Sequence, residues 1–136
     1  MNTINRTGKR SLKFEGELLA IVDGNYREPE KTRWHSIFIW QSEGDKSVPI
    51  WKRQKKLVVS IIYHSRLFRE LEYSDAEVFE NEASAAEYLE NYDFPNQANI
   101  GIATPEFQQR ELDALKLDWK HLVSRIITKL GHQTIH

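Results

Sequence analysis

There is no cysteine among the 136 residues, which removes disulfides, thiolate zinc sites, iron–sulfur clusters and cysteine nucleophiles together. Glycine is scarce and scattered. All six glycines stand singly, so neither a dinucleotide fingerprint nor a P-loop can be read, since both need clustered glycines to bring backbone amides onto phosphate. No Gly-x-Ser-x-Gly elbow marks a serine nucleophile. The longest apolar runs are only a few residues, far short of the ~18 that a membrane-spanning helix requires. Arg6, Lys9 and Arg10 are followed by Ser11-Leu12-Lys13-Phe14-Glu15 rather than by an apolar core with a cleavage site, so the start does not read as a signal peptide. These absences give the expectation of a cytoplasmic protein with no membrane partner. An excess of charge of one sign is missing too. The formal net charge is -1, which argues against a field of the whole molecule that draws polyanions.

What is present is a core. The chain is 40% hydrophobic and 11% aromatic with four Trp, enough for one domain of ordinary size and too much for a disordered tail. The expected division is a basic amino-terminal tail over 1–11, a single domain over 12–131 and a short tail over 132–136.

Leu12, Phe14, Leu18, Ala20 and Val22 alternate with polar residues up to Asp23-Gly24-Asn25, which predicts one strand ending at a turn. Trp34 to Gln41 and Leu57 to His64 are apolar on both parities, which predicts central strands. Between them a return strand is expected through Val48, Ile50 and Trp51, demoted to an edge by Pro49. A further strand is expected at Ala76 to Phe79. The period then changes. Ala85, Tyr88, Leu89 and Tyr92 predict a short helix capped by Asn81, with Ser84 and Glu87 as a capping box one turn later. Thr104-Pro105-Glu106 predicts the start of a long amphipathic helix whose apolar arc runs from Leu112 to Leu130 and which Gly131 should stop. Strands first and helices afterwards give an α+β class: a mostly antiparallel, meander-like sheet of four to five strands with a short helix and a long carboxy-terminal helix packed on one face.

Charge is distributed unevenly along the chain. Seven basic residues and no acid lie between Lys46 and Arg69; nine acids and no base lie between Glu70 and Asp93. Successive elements are neighbours in about two-thirds of cases. The expectation is therefore that the blocks face each other across adjacent strands and cancel. The competing reading is a basic strip of Trp51, Lys52, Arg53, Lys55 and Lys56 that contacts phosphates while Trp51 stacks a base.

Other constellations are weaker. Glu15 and Glu17, two apart on the predicted strand, have the spacing of a carboxylate pair but read first as a solvated row. His35 and His64 in apolar strands read as satisfied core histidines before they read as metal ligands. His132 and His136 have i, i+4 spacing but follow the predicted helix stop. No metal or cofactor is expected. Leu19, Ile21, Ile37, Ile39, Val58 and Ile62 leave the sheet with a second apolar parity that needs burial, by a homodimer, by a protein partner or by closure into a half-barrel around a ligand. The leading expectation is thus a small binding or interaction protein that uses this face. Alternatives are a nucleic-acid-associated protein using the basic strip, and a small-molecule-binding protein or enzyme with a pocket lined by Trp34, Trp40, Tyr63 and His64.

Overall fold

The structure, a computed structural model, describes residues 2–25, 31–44, 47–66, 72–93 and 105–134. Two strands, β1 (Asn2–Arg6) and β2 (Lys9–Phe14), form an antiparallel hairpin. Four more, β3 (Gly16–Asp23), β4 (Arg33–Ser42), β5 (Leu57–Ser65) and β6 (Tyr73–Phe79), make an antiparallel sheet in the order β3-β4-β5-β6. Helix α1 (Glu82–Glu90) and helix α2 (Pro105–Thr134) follow. The class is α+β, with strands before helices and each strand of the sheet paired to the next in the chain.

The main core lies between one face of the sheet and the helices. Odd residues of β4 and β5 point there: His35, Ile37, Ile39, Val59, Ile61 and Tyr63 are all buried. They meet Ala85 and Leu89 of α1 and the buried stripe Leu115, Trp119, Leu122, Val123, Ile126 and Leu130 of α2. That stripe is the expected apolar arc, because residues three and four apart share a helix face. Among the described residues, two ion pairs bind α2 to the sheet side, Arg33 Nη1 to Glu111 Oε2 and Lys31 Nζ to Asp118 Oδ2, each at 2.9 Å. Asn81 caps α1 as expected: its side-chain oxygen accepts from the Ser84 amide at 2.8 Å.

The single strand expected over residues 12–22 is divided. Glu15 separates β2 from β3, and a bulge between Leu18 and Ala20 shifts the register on β4. Leu18 pairs with Trp40 on the face away from the helices, whereas Ala20 pairs with Ile39 and joins the core. One extra residue reverses the side-chain parity, as the period of two requires.

The amino terminus, expected as a tail, is folded. The base of the hairpin joins β3 at one edge of the sheet, where Asn2 Nδ2 donates to Gly16 O at 3.0 Å. Its turn reaches the opposite edge: Thr7 N donates to Ser74 O at 2.8 Å, and Ser74 N donates to Thr7 Oγ1 at 2.9 Å. Phe14 meets Trp40 edge-on with ring centroids 5.8 Å apart. The hairpin therefore crosses the second face of the sheet, and Val58, Ser60 and Ala76 are buried there. Its inward Ile4, Leu12 and Phe14 find apolar partners, which is why a segment so rich in charge still folds back.

Two other expectations change. No strand forms within 47–56; Ile50–Lys52 is a 3-10 turn following Pro49, whose fixed φ and missing amide suit a turn better than a ladder. Helix α2 runs through Gly131 to Thr134 rather than stopping, because Gly131 does not take the left-handed conformation a glycine cap uses. The loop that the sequence suggests over 94–99, most of the one over 28–31, and most of the run 66–73, which could extend either neighbouring strand, lie outside the described residues.

Candidate functional site

The four residues expected to share a pocket are not brought together. Tyr63 lies in the helix-covered core, stacked on Tyr73 with centroids 5.2 Å apart. Trp34, Trp40 and His64 lie on the second face. Trp34 and Trp40 stand six residues apart on β4, about 20 Å along a strand. His64 joins Trp34 only, in a stack at 4.9 Å that Arg66 extends with its guanidinium 4.9 Å from the indole centroid. The indole nitrogens of Trp34 and Trp40 are buried without a hydrogen-bond partner among the described residues.

The Trp34 end of β4 contains a contact that sequence reasoning missed. Ser36 Oγ lies 2.9 Å from His64 Nε2, with Asp23 opposite Ser36 in the β3–β4 register. Burial lowers the His64 pKa from its ordinary 6.5, while the charges of Glu72 and Asp23 pull it back upward. This is a hydroxyl and a base at hydrogen-bonding distance, the geometry of an activated nucleophile. Ser36 is, however, 1% exposed, so its oxygen has no access to a substrate and the pair works as a satisfied polar contact. Diagonal pairing of two central strands was the only signal available, and it appears once their register is known. The second histidine, His35, is buried among Tyr63, Tyr73 and Trp119. Among the described residues no three His, Asp or Glu side chains converge as a metal site. The side chain of His132 and the whole of His136 lie outside the description.

Glu15 stands at the β2–β3 junction, where its carbonyl accepts from Glu43 N at 2.7 Å, and Glu17, the second residue of β3, pairs with Gln41. The two no longer share a continuous strand.

The basic strip takes a definite form. A cleft of about 500 Å³ opens between the end of β2 and the β4–β5 connection, and Lys13, Lys52 and Lys56 line it, with Glu15 as the one acid among the described lining residues. Ser42 N donates to Lys56 O and Lys56 N donates back to Ser42 Oγ, which fixes the far wall. Gly44 takes φ +82°, and a Cβ there would stand 2.7 Å from Gln54 O, so the wall is closed by a backbone approach only glycine permits. Arg53 turns away: its Nε donates to Val48 O at 3.0 Å and braces the loop. Lys55 lines a smaller depression beside the cleft with Gly16, Glu17 and Gln41. Trp51, next to Lys52, is 82% exposed and Ile50 is 76% exposed.

The two charge blocks are not paired with each other among the described residues. Among the described residues, ion pairs join Lys9 to Asp75 and Glu77 around the β6 edge, and none joins the basic block to the acidic one. Helix α1, with Glu82, Glu87 and Glu90, packs on the core side of the sheet; the lysine cleft is built partly from the hairpin on the other side.

Compared with known proteins, the chain matches no family model, no curated protein and no solved structure. Its class is therefore defined by its own geometry: an α+β domain with a hairpin laid over the second sheet face and a lysine-lined cleft at the hairpin's base.

Proposed function

We propose that the protein is a binding protein that takes the phosphate backbone of a nucleic acid in the cleft of Lys13, Lys52 and Lys56. The observation that carries this reading is the convergence of three lysines on one concavity, with the acids of α1 on the opposite side of the sheet. A net charge of -1 does not oppose it, because at physiological ionic strength screening over about 8 Å makes local charge decisive. The strip expected from the sequence is thereby redistributed: Lys13 joins it from the hairpin and Arg53 serves the loop.

The test is fluorescence anisotropy of a labelled random oligonucleotide across a salt series. Affinity should fall steeply with salt, and changing Lys13, Lys52 and Lys56 together to Ser should reduce the slope of log K against log salt by about 2–3, for three phosphate contacts. Binding that ignores both salt and the triple change would sink the proposal.

A second reading, self-association, is favoured by the apolar residues the hairpin leaves open: Leu18 and Ile21 are exposed on the second face. Such a contact would be face to face. The β3 edge is blunted by its bulge and by Lys129, whose Nζ donates to Ile21 O at 2.7 Å. Light scattering should then give a mass rising from 16.0 kDa towards twice that value with concentration, and Ile21→Lys should hold it at the monomer. A constant monomer mass at all concentrations would dispose of this reading.

A further inference from the structure

We infer that the nucleic acid taken by the cleft is single-stranded, with an unpaired base stacked on Trp51; this rests on the phosphate-binding reading above and adds the strand state. The four tryptophans divide sharply. Trp119 is buried and Trp34 and Trp40 are half-buried, but Trp51 is 82% exposed. An indole left in water forgoes one of the largest apolar burials a side chain offers, so its position calls for a partner outside the chain.

Trp51 is also held in place. The Ile50–Lys52 turn follows Pro49, Lys52 N donates to Pro49 O at 2.9 Å, Arg53 N donates to Ile50 O at 3.2 Å, and Arg53 Nε anchors the segment to Val48 O. A braced turn presents the ring with little ordering left to be done on binding. Lys52, the next residue, lines the cleft. A phosphate held by Lys52 and a base held by Trp51 are therefore served by side chains whose Cα atoms are about 3.8 Å apart.

Strand state follows from shape. A cleft of about 500 Å³ has the size of a small-molecule pocket, which accommodates a short length of one strand rather than the full width of a duplex. A duplex offers only base edges in its grooves, and stacking on Trp51 would first require unstacking a base at a cost of a few kcal/mol. Tryptophan beside lysines also suits an anionic membrane surface, but a membrane is flat and cannot enter the concavity where Lys13, Lys52 and Lys56 meet.

The experiment is an anisotropy titration of the full chain with a labelled oligothymidylate of about twelve nucleotides, with the duplex it forms with its complement, and with heparin as a competitor without bases. The single strand should bind at least about tenfold tighter than the duplex. Trp51→Ala should weaken single-strand binding about 5- to 100-fold, the range of one base stacked on an aromatic ring, and leave heparin competition nearly unchanged. Trp51→Phe should restore most of the loss. If Trp51→Ala leaves oligothymidylate affinity intact while the triple lysine change lowers it, the stacked single strand is overturned and the backbone reading survives. If neither change matters, both fall. Equal affinity for strand and duplex, or a blue shift of tryptophan emission on phosphatidylserine vesicles that Trp51→Ala abolishes, with no binding of the oligothymidylate, would overturn the inference as well.

Discussion

His35 is enclosed by Tyr63, Tyr73 and Trp119, with its Nε2 3.3 Å from the Tyr73 hydroxyl. Burial pushes its pKa down from 6.5 to about 3, and the neighbouring His64 adds to the effect. The sign of the linkage follows. Between about pH 6.5 and 3 the unfolded chain binds a proton at this position and the folded chain does not, so stability falls as pH drops through that window. One proton gives a slope of at most about 1.4 kcal/mol per pH unit. His64, also held below its ordinary value by burial, acts in the same direction. Urea unfolding between pH 7 and pH 4 should show this loss, and His35→Phe should flatten it. The variant also gives up the Tyr73 contact, worth about 1 kcal/mol at neutral pH, but the slope is the discriminating readout. Equal slopes in the two proteins would place the linkage elsewhere. On the helix side, Asp75 is met by the Tyr88 and Tyr92 hydroxyls at 3.5 Å. Burial first, and then charges including that of Asp75, drive both phenols well above their ordinary range, so they stay protonated donors at any working pH.

Two glycines show how strands and helices read the same residue differently. Gly16 opens β3 where the chain leaves the hairpin, and an added Cβ would stand 2.0 Å from Gln41 O. The backbones of β3 and β4 must separate to admit it, and overpacking of that kind costs about 1–3 kcal/mol or more. Gly131 keeps helical geometry inside α2 with nothing within 4 Å of an added Cβ. Gly131→Ala should therefore stabilise by about 0.5–1 kcal/mol through backbone entropy and helix propensity. Denaturant midpoints should move in opposite directions, down for Gly16→Ala and up for Gly131→Ala; a shared direction would contradict the placement of one of them. Sequence pattern gave no warning of either. Gly16 sat in an unbroken alternation, and Gly131 stood where a cap belongs. Whether a glycine is needed depends on what backbone lies opposite it, which is a matter of packing. By contrast, β4, β5, the Asn81 cap and the stripe of α2 were legible, since each depends on periodicity and on hydrogen bonds made within a few residues.

Taken as one body, the protein is polar in charge. A sum of -1 conceals a lysine cleft on the hairpin side and the acids of α1 on the helix side, with the sheet between them. The blocks themselves were legible in the sequence; their separation was not, because pairing of neighbouring elements predicted cancellation. Among the described residues that pairing does not form, because β5 carries no Asp, Glu, Lys or Arg: the described basic residues fall in the connections at its ends, and Asp75 and Glu77 find Lys9 instead. The candidate site was half visible for the same reason. Trp51, Lys52, Lys55 and Lys56 are close in the chain, but Lys13 enters only because the hairpin folds back, and Arg53 donates to Val48 O instead of lining the cleft. The pocket expected from Trp34, Trp40, Tyr63 and His64 needed the consecutive residues Tyr63 and His64 of β5 to point to one face, which a strand does not allow. Composition and periodicity were thus sufficient for the class, the central strands and the helix that buries them, because those follow from local hydrogen bonding and the burial of one face. Tertiary structure alone decided what covers the second face, which lysines share a cleft and that one tryptophan stays in water, because each of these depends on contacts between residues far apart in the chain.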